Sequence, residues 1–122
     1  MHYIPRKQMP QVDEVNLPEL VALAFQSGHR PEFAVVEPHT LHAHQKVNHA
    51  RALGMPETIK RKPVLVSADG FVLDGNHRWF AHKHDGSPLN IIRVGLSFDD
   101  ALPWLFSLPF TYTLTPATPE RN

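Results

Sequence analysis

The stretch Val64-Leu-Val-Ser-Ala-Asp-Gly-Phe-Val-Leu-Asp-Gly-Asn-His-Arg-Trp79 decides the fold of this chain. Residues 64–67 and 71–73 are apolar and favour β-strands. The dipeptide Asp69-Gly70 between them is typical of a two-residue hairpin turn, because both residue types accept positive φ angles. The segment 77–84 that follows has helical character. The stretch therefore predicts a β-hairpin that runs directly into a helix.

The junction between this hairpin and the helix has the residue types of an anion site. Gly75 allows backbone to approach a ligand closely. The first amides of a helix have no partner within the helix and carry the positive end of its dipole. Arg78 adds a forked donor suited to phosphate, and His77 adds a group that titrates near neutral pH. These residues predict a phosphate-binding site.

The motif Asp74-Gly75-Asn76-His77-Arg78 resembles the Asp-Gly-x-His-Arg signature of the ParB/sulfiredoxin-like superfamily. The preceding hairpin and a strand predicted at 88–94 fit the same pattern, and the likeness covers residues 33–105. The resemblance implies an α/β (α+β) domain with a compact mixed sheet and flanking helices. It also implies that Gly75, Asn76, His77 and Arg78 hold the phosphates of a nucleotide.

The resemblance implies a pocket more strongly than a reaction, because the superfamily hosts several activities. It includes nucleotide-gated DNA-partitioning proteins, proteins described as nucleases, small-molecule kinases and a sulfinic-acid reductase. The chain has no cysteine, and Asn76 stands where the reductases carry their reactive cysteine, so reductase chemistry is excluded. Partitioning proteins carry a further helix-turn-helix domain, for which 122 residues leave no room.

Two hypotheses of different classes remain open. In the first, Asp74, His77 and Arg78 are catalytic residues of a nuclease or phosphotransferase that uses a nucleoside triphosphate (ATP or CTP) and Mg²⁺. In the second, the chain is a non-catalytic module, of phage origin, that is switched by a nucleotide or binds a protein. Asp74 either contacts magnesium or acts as a base, or it has a structural role in capping the helix or orienting Arg78. Arg78 binds phosphate or forms a buried ion pair with Asp74.

Charge and hydropathy exclude some classes of protein. Twelve basic and twelve acidic residues give a formal charge of zero, so the chain lacks a strongly basic surface for DNA. The run Lys60-Arg61-Lys62, with Arg51 nearby, forms a local basic patch or a solvated face. No segment has the length and apolarity of a membrane span, and no apolar run follows Met1. We therefore expect a cytoplasmic protein.

The nine histidines do not form a metal-binding pattern. Two clusters, 39–49 and 77–84, contain no pair spaced four apart on a helix, and the first cluster contains no acidic residue. We expect no protein-made metal site. The alternating His42 and His44 would instead line the nucleotide pocket, because the corresponding segment lies near the nucleotide in relatives.

The chain divides into three predicted parts. Residues 1–32 form a proline-punctuated arm and a helix, residues 33–105 form the family-like domain, and residues 106–122 form an apolar strip and a polar tail. A strand is predicted at 32–37, and a helix at 46–53 whose Val47, Ala50 and Leu53 face inward.

The end of the family-like domain carries two further predictions. Ser97 caps a helix that Pro103 should kink or end. The apolar side chains after this proline should cover the core or form a surface for a homodimer or a protein partner. They are Trp104, Phe106, Leu108, Phe110 and Tyr112.

Overall fold

The computed structural model describes residues 8–43 and 49–113. These residues form an α+β domain with five α-helices and a four-stranded sheet, which confirms the predicted fold class. In chain order the elements are α1 (Leu17–Gln26), β1 (Glu32–Val36), α2 (His49–Leu53), α3 (Glu57–Lys60), β2 (Val64–Val66), β3 (Val72–Asp74), α4 (Asn76–Asp85), β4 (Leu89–Arg93) and α5 (Phe98–Phe106). Short 3-10 turns occupy Glu14–Asn16 and Pro38–Thr40.

The sheet is mixed and has the strand order β1-β4-β2-β3. Strand β4 pairs antiparallel with β1, where Glu32 lies opposite Arg93, and parallel with β2, where Val64 lies opposite Ile91. Strand β2 pairs antiparallel with β3. The central strand β2 is buried at all three positions, which explains why its sequence is an unbroken apolar run.

Two hydrophobic cores lie on opposite faces of this sheet. The first joins the sheet to the N-terminal arm, α1 and α5, and its buried members are Met9, Val12, Leu20, Leu65, Leu73, Ile92, Val94, Phe98, Ala101, Leu105 and Leu108. The second joins the sheet to α4, and its buried members are Leu41, Val64, Val66, Val72, Trp79, Leu89 and Ile91. Successive residues of a strand alternate between the two cores because a strand has a side-chain period of two. Helix α4 packs on one face of the sheet, mainly against β2 and β3.

The hairpin forms as predicted, but its turn is different. The Ser67 N–H donates to the Phe71 carbonyl at 2.9 Å, so a three-residue loop replaces the expected two-residue turn. Of its residues only Gly70 has a positive φ, of 85°. The carboxylate of Asp69 instead accepts the N–H of Phe98 at 2.9 Å. This bond links the loop to the start of α5, and within the loop the Phe71 N–H also donates to Ser67 Oγ at 3.0 Å.

The strand and the helix predicted before the hairpin are present, but the buried face of the helix differs from the prediction. The strand predicted at 32–37 is β1. The described part of the helix predicted at 46–53 is α2, but its inward face is wrong. Ala50 and Leu53 are exposed and Ala52 is buried, while Val47 lies outside the described residues. Helix α2 contacts α4, and this contact selects the buried face.

The C-terminal helix corrects one prediction. Ser97 caps α5 as expected, and its Oγ accepts the Asp100 N–H at 3.3 Å. Pro103 does not end the helix, which continues to Phe106. The Ser107 N–H reaches the Pro103 carbonyl at 3.1 Å, so the turn after the proline is intact. Burial of Leu105 in the first core supplies stability that offsets the missing N–H of the proline.

The apolar strip after Pro103 mostly covers the core. Leu108 is buried in the first core, and Trp104 and Phe110 pack against it. Tyr112 forms an isolated antiparallel bridge with Gln11 of the N-terminal arm. Phe106 keeps 46% of its surface exposed. In the described ranges no helix combines the length and apolarity needed to cross a membrane.

Candidate functional site

The candidate site is the junction between β3 and α4. Gly75 stands at the N-cap position with φ of 108°, a conformation that non-glycine residues rarely adopt. No side chain caps the helix here, because glycine has no side-chain acceptor to offer. The first intrahelical bond runs from the Trp79 N–H to the Gly75 carbonyl at 2.9 Å. The amides before Trp79 therefore have no partner within the helix and carry its positive end.

The side chain of Arg78 folds back over this junction. A Cβ atom placed on Gly75 would stand 2.9 Å from Arg78 Nη2 and 3.1 Å from Arg78 Nε. On the other side it would stand 3.1 Å from the Cγ2 methyl of Val64. The glycine thus leaves space for the guanidinium of its own helix, and that guanidinium lies beside the uncapped helix N-terminus.

Two buried polar atoms at this junction lack hydrogen-bond partners within the part of the chain that the structure describes. They are Asn76 Oδ1 and Arg78 Nε. Asn76 keeps only 5% of its surface exposed. A buried polar group without a partner costs about 1–3 kcal/mol, so proteins usually satisfy such groups with water, an ion or a ligand. The pair therefore points to a bound molecule at the start of α4.

Two carboxylates offset the effect of burial on the charge of Arg78. Burial lowers the pKa of the guanidinium, while the negative charges of Asp74 and then Glu14 raise it. Arginine has so high an intrinsic pKa that it keeps its charge in this environment. Asp74 Oδ2 accepts the N–H of Val12 at 3.0 Å, which ties the N-terminal arm to the end of β3. Asp74 therefore has a structural contact as well as a place beside Arg78.

Sequence reasoning missed Glu14 as a charge acting on Arg78, and Lys62 as the partner of Glu14. Glu14 Oε1 lies 3.8 Å from Lys62 Nζ. Lys62 belongs to the basic run before the hairpin. That run indicated the cation of this pair, but not its partner Glu14. Glu14 lies in the arm, 64 positions before Arg78 in the numbering, and no local pattern connects the two residues.

The structure places the other motif residues in the interior. His77 is buried, with 6% of its surface exposed. Trp79 belongs to the second core, and its Nε1–H donates to the Pro38 carbonyl at 2.9 Å. Phe80 packs beside that core and stacks on His49, with ring centroids 4.6 Å apart. The helix surface behind the junction is thus used for packing.

The histidines that the structure describes make separate contacts and do not form one cluster. His82 is buried, and its ring nitrogens lie 3.0 Å from Ser87 Oγ and 3.0 Å from the Lys60 carbonyl oxygen. His42 is exposed and lies beside Phe71, while His44 lies outside the described residues. No group of three or more histidine or acidic side chains within residues 8–43 and 49–113 is arranged to hold a metal ion.

A cavity of about 150 Å³ lies away from the motif, at the other end of α4. Its walls come from α2, α3 and the last turns of α4, and include Lys60, His84 and Asp85. Lys60 contacts Asp85 and lies 3.8 Å from Glu57, so the charges in this cavity are already matched. The unpartnered polar atoms of α4 are at its N-terminus, and the candidate site is therefore there.

Chemically, the junction combines an uncapped helix N-terminus, a guanidinium and nearby carboxylates. Such a set can bind an anion directly, or an anion together with a divalent cation held by a carboxylate.

A comparison of the chain with protein-family models, curated proteins and solved structures found no match.

Proposed function

We propose that this chain is a phosphate-binding domain of the ParB/sulfiredoxin-like type, active in the cytoplasm. The ligand is a nucleoside triphosphate (ATP or CTP), or a phosphate of a nucleic acid, held at the start of α4. Gly75, Asn76, His77 and Arg78 are the proposed binding residues. The proposal rests on the motif that these residues form and on their place at an uncapped helix N-terminus.

The observation that supports this proposal most directly is the pair of buried atoms without partners. Arg78 Nε is a donor in need of an acceptor, and a phosphate oxygen is a suitable one. Asn76 carries the second such atom, and its amide also offers donors if the oxygen and nitrogen exchange places. Both atoms belong to the first turn of α4, where the helix dipole favours negative charge.

Magnesium fits this site only together with the ligand. Mg²⁺ is commonly held by one or two carboxylates, with phosphate oxygens and water completing an octahedral shell. Asp74 is the carboxylate of the motif and lies close enough to Arg78 to influence its charge. When bound, the ion would neutralise charge on the phosphates. Asp74 would hold the ion or orient an attacking hydroxyl, and Arg78 would hold phosphate oxygens.

Catalysis is a separate part of the proposal. Phosphoryl chemistry requires mainly positioning and charge stabilisation, so Asp74, His77 and Arg78 form a sufficient set for phosphodiester cleavage or phosphoryl transfer. The burial of His77 suits a positioning role that fixes the first turn of α4. The alternative is a module that binds the nucleotide without turnover.

A panel of nucleotides tests the proposal. Binding of ATP, CTP, GTP and UTP would be measured by calorimetry with and without Mg²⁺, and phosphate release would be followed in the same samples. We expect saturable binding that requires Arg78. Release of phosphate supports an enzyme, and binding without release supports a switch. If no nucleotide or oligonucleotide binds, the phosphate-binding proposal is wrong.

The C-terminal strip carries a proposal of its own. We propose that any contact with a second copy or a protein partner through this strip is made mainly by Phe106. Leu108 is committed to the first core, whereas Phe106 exposes 46% of its surface. Trp104, Phe110 and Tyr112 would contribute only the parts of their rings that remain accessible.

A further inference from the structure

The N-terminal arm carries a carboxylate, Glu14, whose role the motif alone does not suggest. We propose that Glu14 acts as an internal competitor for the phosphate site: in the free protein it pairs with Lys62 and adds negative charge near Arg78, and a polyphosphate displaces it and binds both cations. This inference rests on the proposed phosphate-binding function. It assigns Lys62 to ligand binding and the arm to regulation of the site.

The position of Glu14 is determined by contacts on both sides of the arm. The Val12 N–H donates to Asp74 Oδ2 at 3.0 Å, and Val12 itself is buried in the first core. The Tyr112 hydroxyl donates to Asp13 Oδ1 at 2.8 Å, and the Gln11 N–H donates to the Tyr112 carbonyl at 2.8 Å. These bonds hold the backbone immediately before Glu14 beside the end of β3. Glu14 therefore follows directly on a segment whose backbone is held beside the end of β3.

Glu14 pairs with one cation and acts electrostatically on a second. Its Oε1 lies 3.8 Å from Lys62 Nζ, and its charge stabilises the charged form of Arg78. The side chains of Lys62 and Glu14 keep 32% and 51% of their surface exposed. Ion pairs this accessible contribute little, equivalent to a factor of about one to five in an equilibrium constant. A ligand can therefore displace the carboxylate at small cost while the bonds of Val12 and Asp13 hold the arm in place.

The arrangement also indicates the class of ligand. A single phosphate that displaces Glu14 replaces one anion by another and leaves one of the two cations poorly matched. A diphosphate or triphosphate carries charge on neighbouring groups, and in this proposal it contacts both Arg78 and Lys62. We therefore expect pyrophosphate to bind more tightly than inorganic phosphate.

A double-mutant cycle with inorganic pyrophosphate as the probe tests the proposal. The variants are Glu14→Gln, Lys62→Ala and the double variant, with Arg78→Ala as the reference for loss of the site. Glu14→Gln should tighten pyrophosphate binding about two- to fivefold, because the competing charge is gone. Lys62→Ala should change affinity less than about twofold in the parent, and should weaken it about fivefold or more in the Glu14→Gln background. This non-additivity is expected if Lys62 is paired with Glu14 in the free protein and binds the ligand in the complex.

The outcomes separate this inference from the phosphate site itself. If Glu14→Gln binds pyrophosphate no more tightly than the parent while Arg78→Ala loses binding, the site stands and the competitor role of Glu14 is wrong. If Glu14→Gln binds more weakly, Glu14 contributes to ligand or metal binding, and the inference is overturned. If no variant binds pyrophosphate and none binds a nucleotide, the phosphate site fails and the inference fails with it. Melting temperatures of all variants, which should agree within a few degrees, exclude unfolding as the cause.

Discussion

The guanidinium of Arg78 occupies the space that Gly75 leaves open at the start of α4. A Cβ atom at Gly75 would approach Arg78 Nη2 to 2.9 Å, closer than real Cβ contacts allow. The position of the Arg78 guanidinium therefore depends on the absence of a side chain at Gly75. Each of the two residues can be tested separately.

Gly75→Ala should destabilise the domain by about 2–4 kcal/mol. The alanine would have to adopt a φ of 108° and would also contact Arg78 and Val64. Gly86→Ala is the matched control at the other end of the same helix, because Gly86 has a φ of 66° and no atom within 4 Å of an added Cβ. It should cost only the backbone strain, about 1–2 kcal/mol. If urea unfolding shows the same loss of folding free energy for Gly75→Ala and Gly86→Ala, Arg78 does not occupy this space.

Arg78→Ala should weaken nucleotide binding by about 2–4 kcal/mol, a factor of about 30 to 1,000, because charge-assisted bonds to phosphate are lost. Arg78→Lys should recover part of this loss, since an ammonium cannot reproduce the fork. Arg61→Ala, with a side chain 79% exposed, is the control and should bind normally. The measurement is calorimetric affinity together with melting temperature. An Arg78→Ala protein that unfolds, or that binds with normal affinity, contradicts the assignment.

His82→Ala should destabilise the domain by about 1–3 kcal/mol. The Lys60 carbonyl can only accept, so His82 Nε2–H donates to it and Nδ1 accepts the Ser87 hydroxyl. The alanine would leave the carbonyl of Lys60 without this donor. His84→Ala, at an exposed position on the same helix, should change the melting temperature by less than about 3 °C. A zinc-dependent change in melting temperature for either variant would point to a metal role instead.

Leu105→Ala should cost about 2–5 kcal/mol of folding free energy, because it empties a fully buried position in the first core. Phe106→Ala should cost less than about 1 kcal/mol, because this side chain is half exposed. Thermal unfolding and light scattering would be measured on both. If Phe106→Ala lowers the oligomeric state of the parent protein, the strip is an association surface. A large loss of stability in Phe106→Ala would instead assign this side chain to the core.

Asp85 should make stability depend on pH in the acid range. A hydrogen bond from Lys60, and then one from His84, lowers the pKa of this carboxyl below its ordinary value of 3.8. Its stabilising contribution is therefore present above pH 3.8 and is lost as the pH falls through the lowered pKa of the folded state. Asp85→Asn should melt slightly below the parent at neutral pH, and the difference should vanish in strong acid. Glu37→Gln, at an exposed carboxylate elsewhere, is the control. A difference that persists in strong acid would assign the effect to packing.

The sequence determined most elements of the fold because their signals are local. Glycines at 28, 75 and 86 stand where the chain takes positive φ angles, and the apolar runs at 64–67 and 71–73 have the lengths of strands. The cap at Ser97 and the stop at Gly86 depend on neighbouring residues alone. The motif that defines the candidate site is likewise continuous in sequence. Each of these features needs no knowledge of distant residues.

Tertiary structure decided everything that depends on residues far apart in the chain. Asp69 bonds to the distant Phe98 N–H, in a loop one residue longer than the turn that its dipeptide favours. Burial of Leu105 keeps α5 helical past Pro103, and packing on α4 selects Ala52 as the inward residue of α2. The meeting of Val12 with Asp74 and of Glu14 with Lys62 joins the N-terminal arm to the motif. Such contacts form only when the sheet and its two cores bring these segments together, and no local periodicity encodes them.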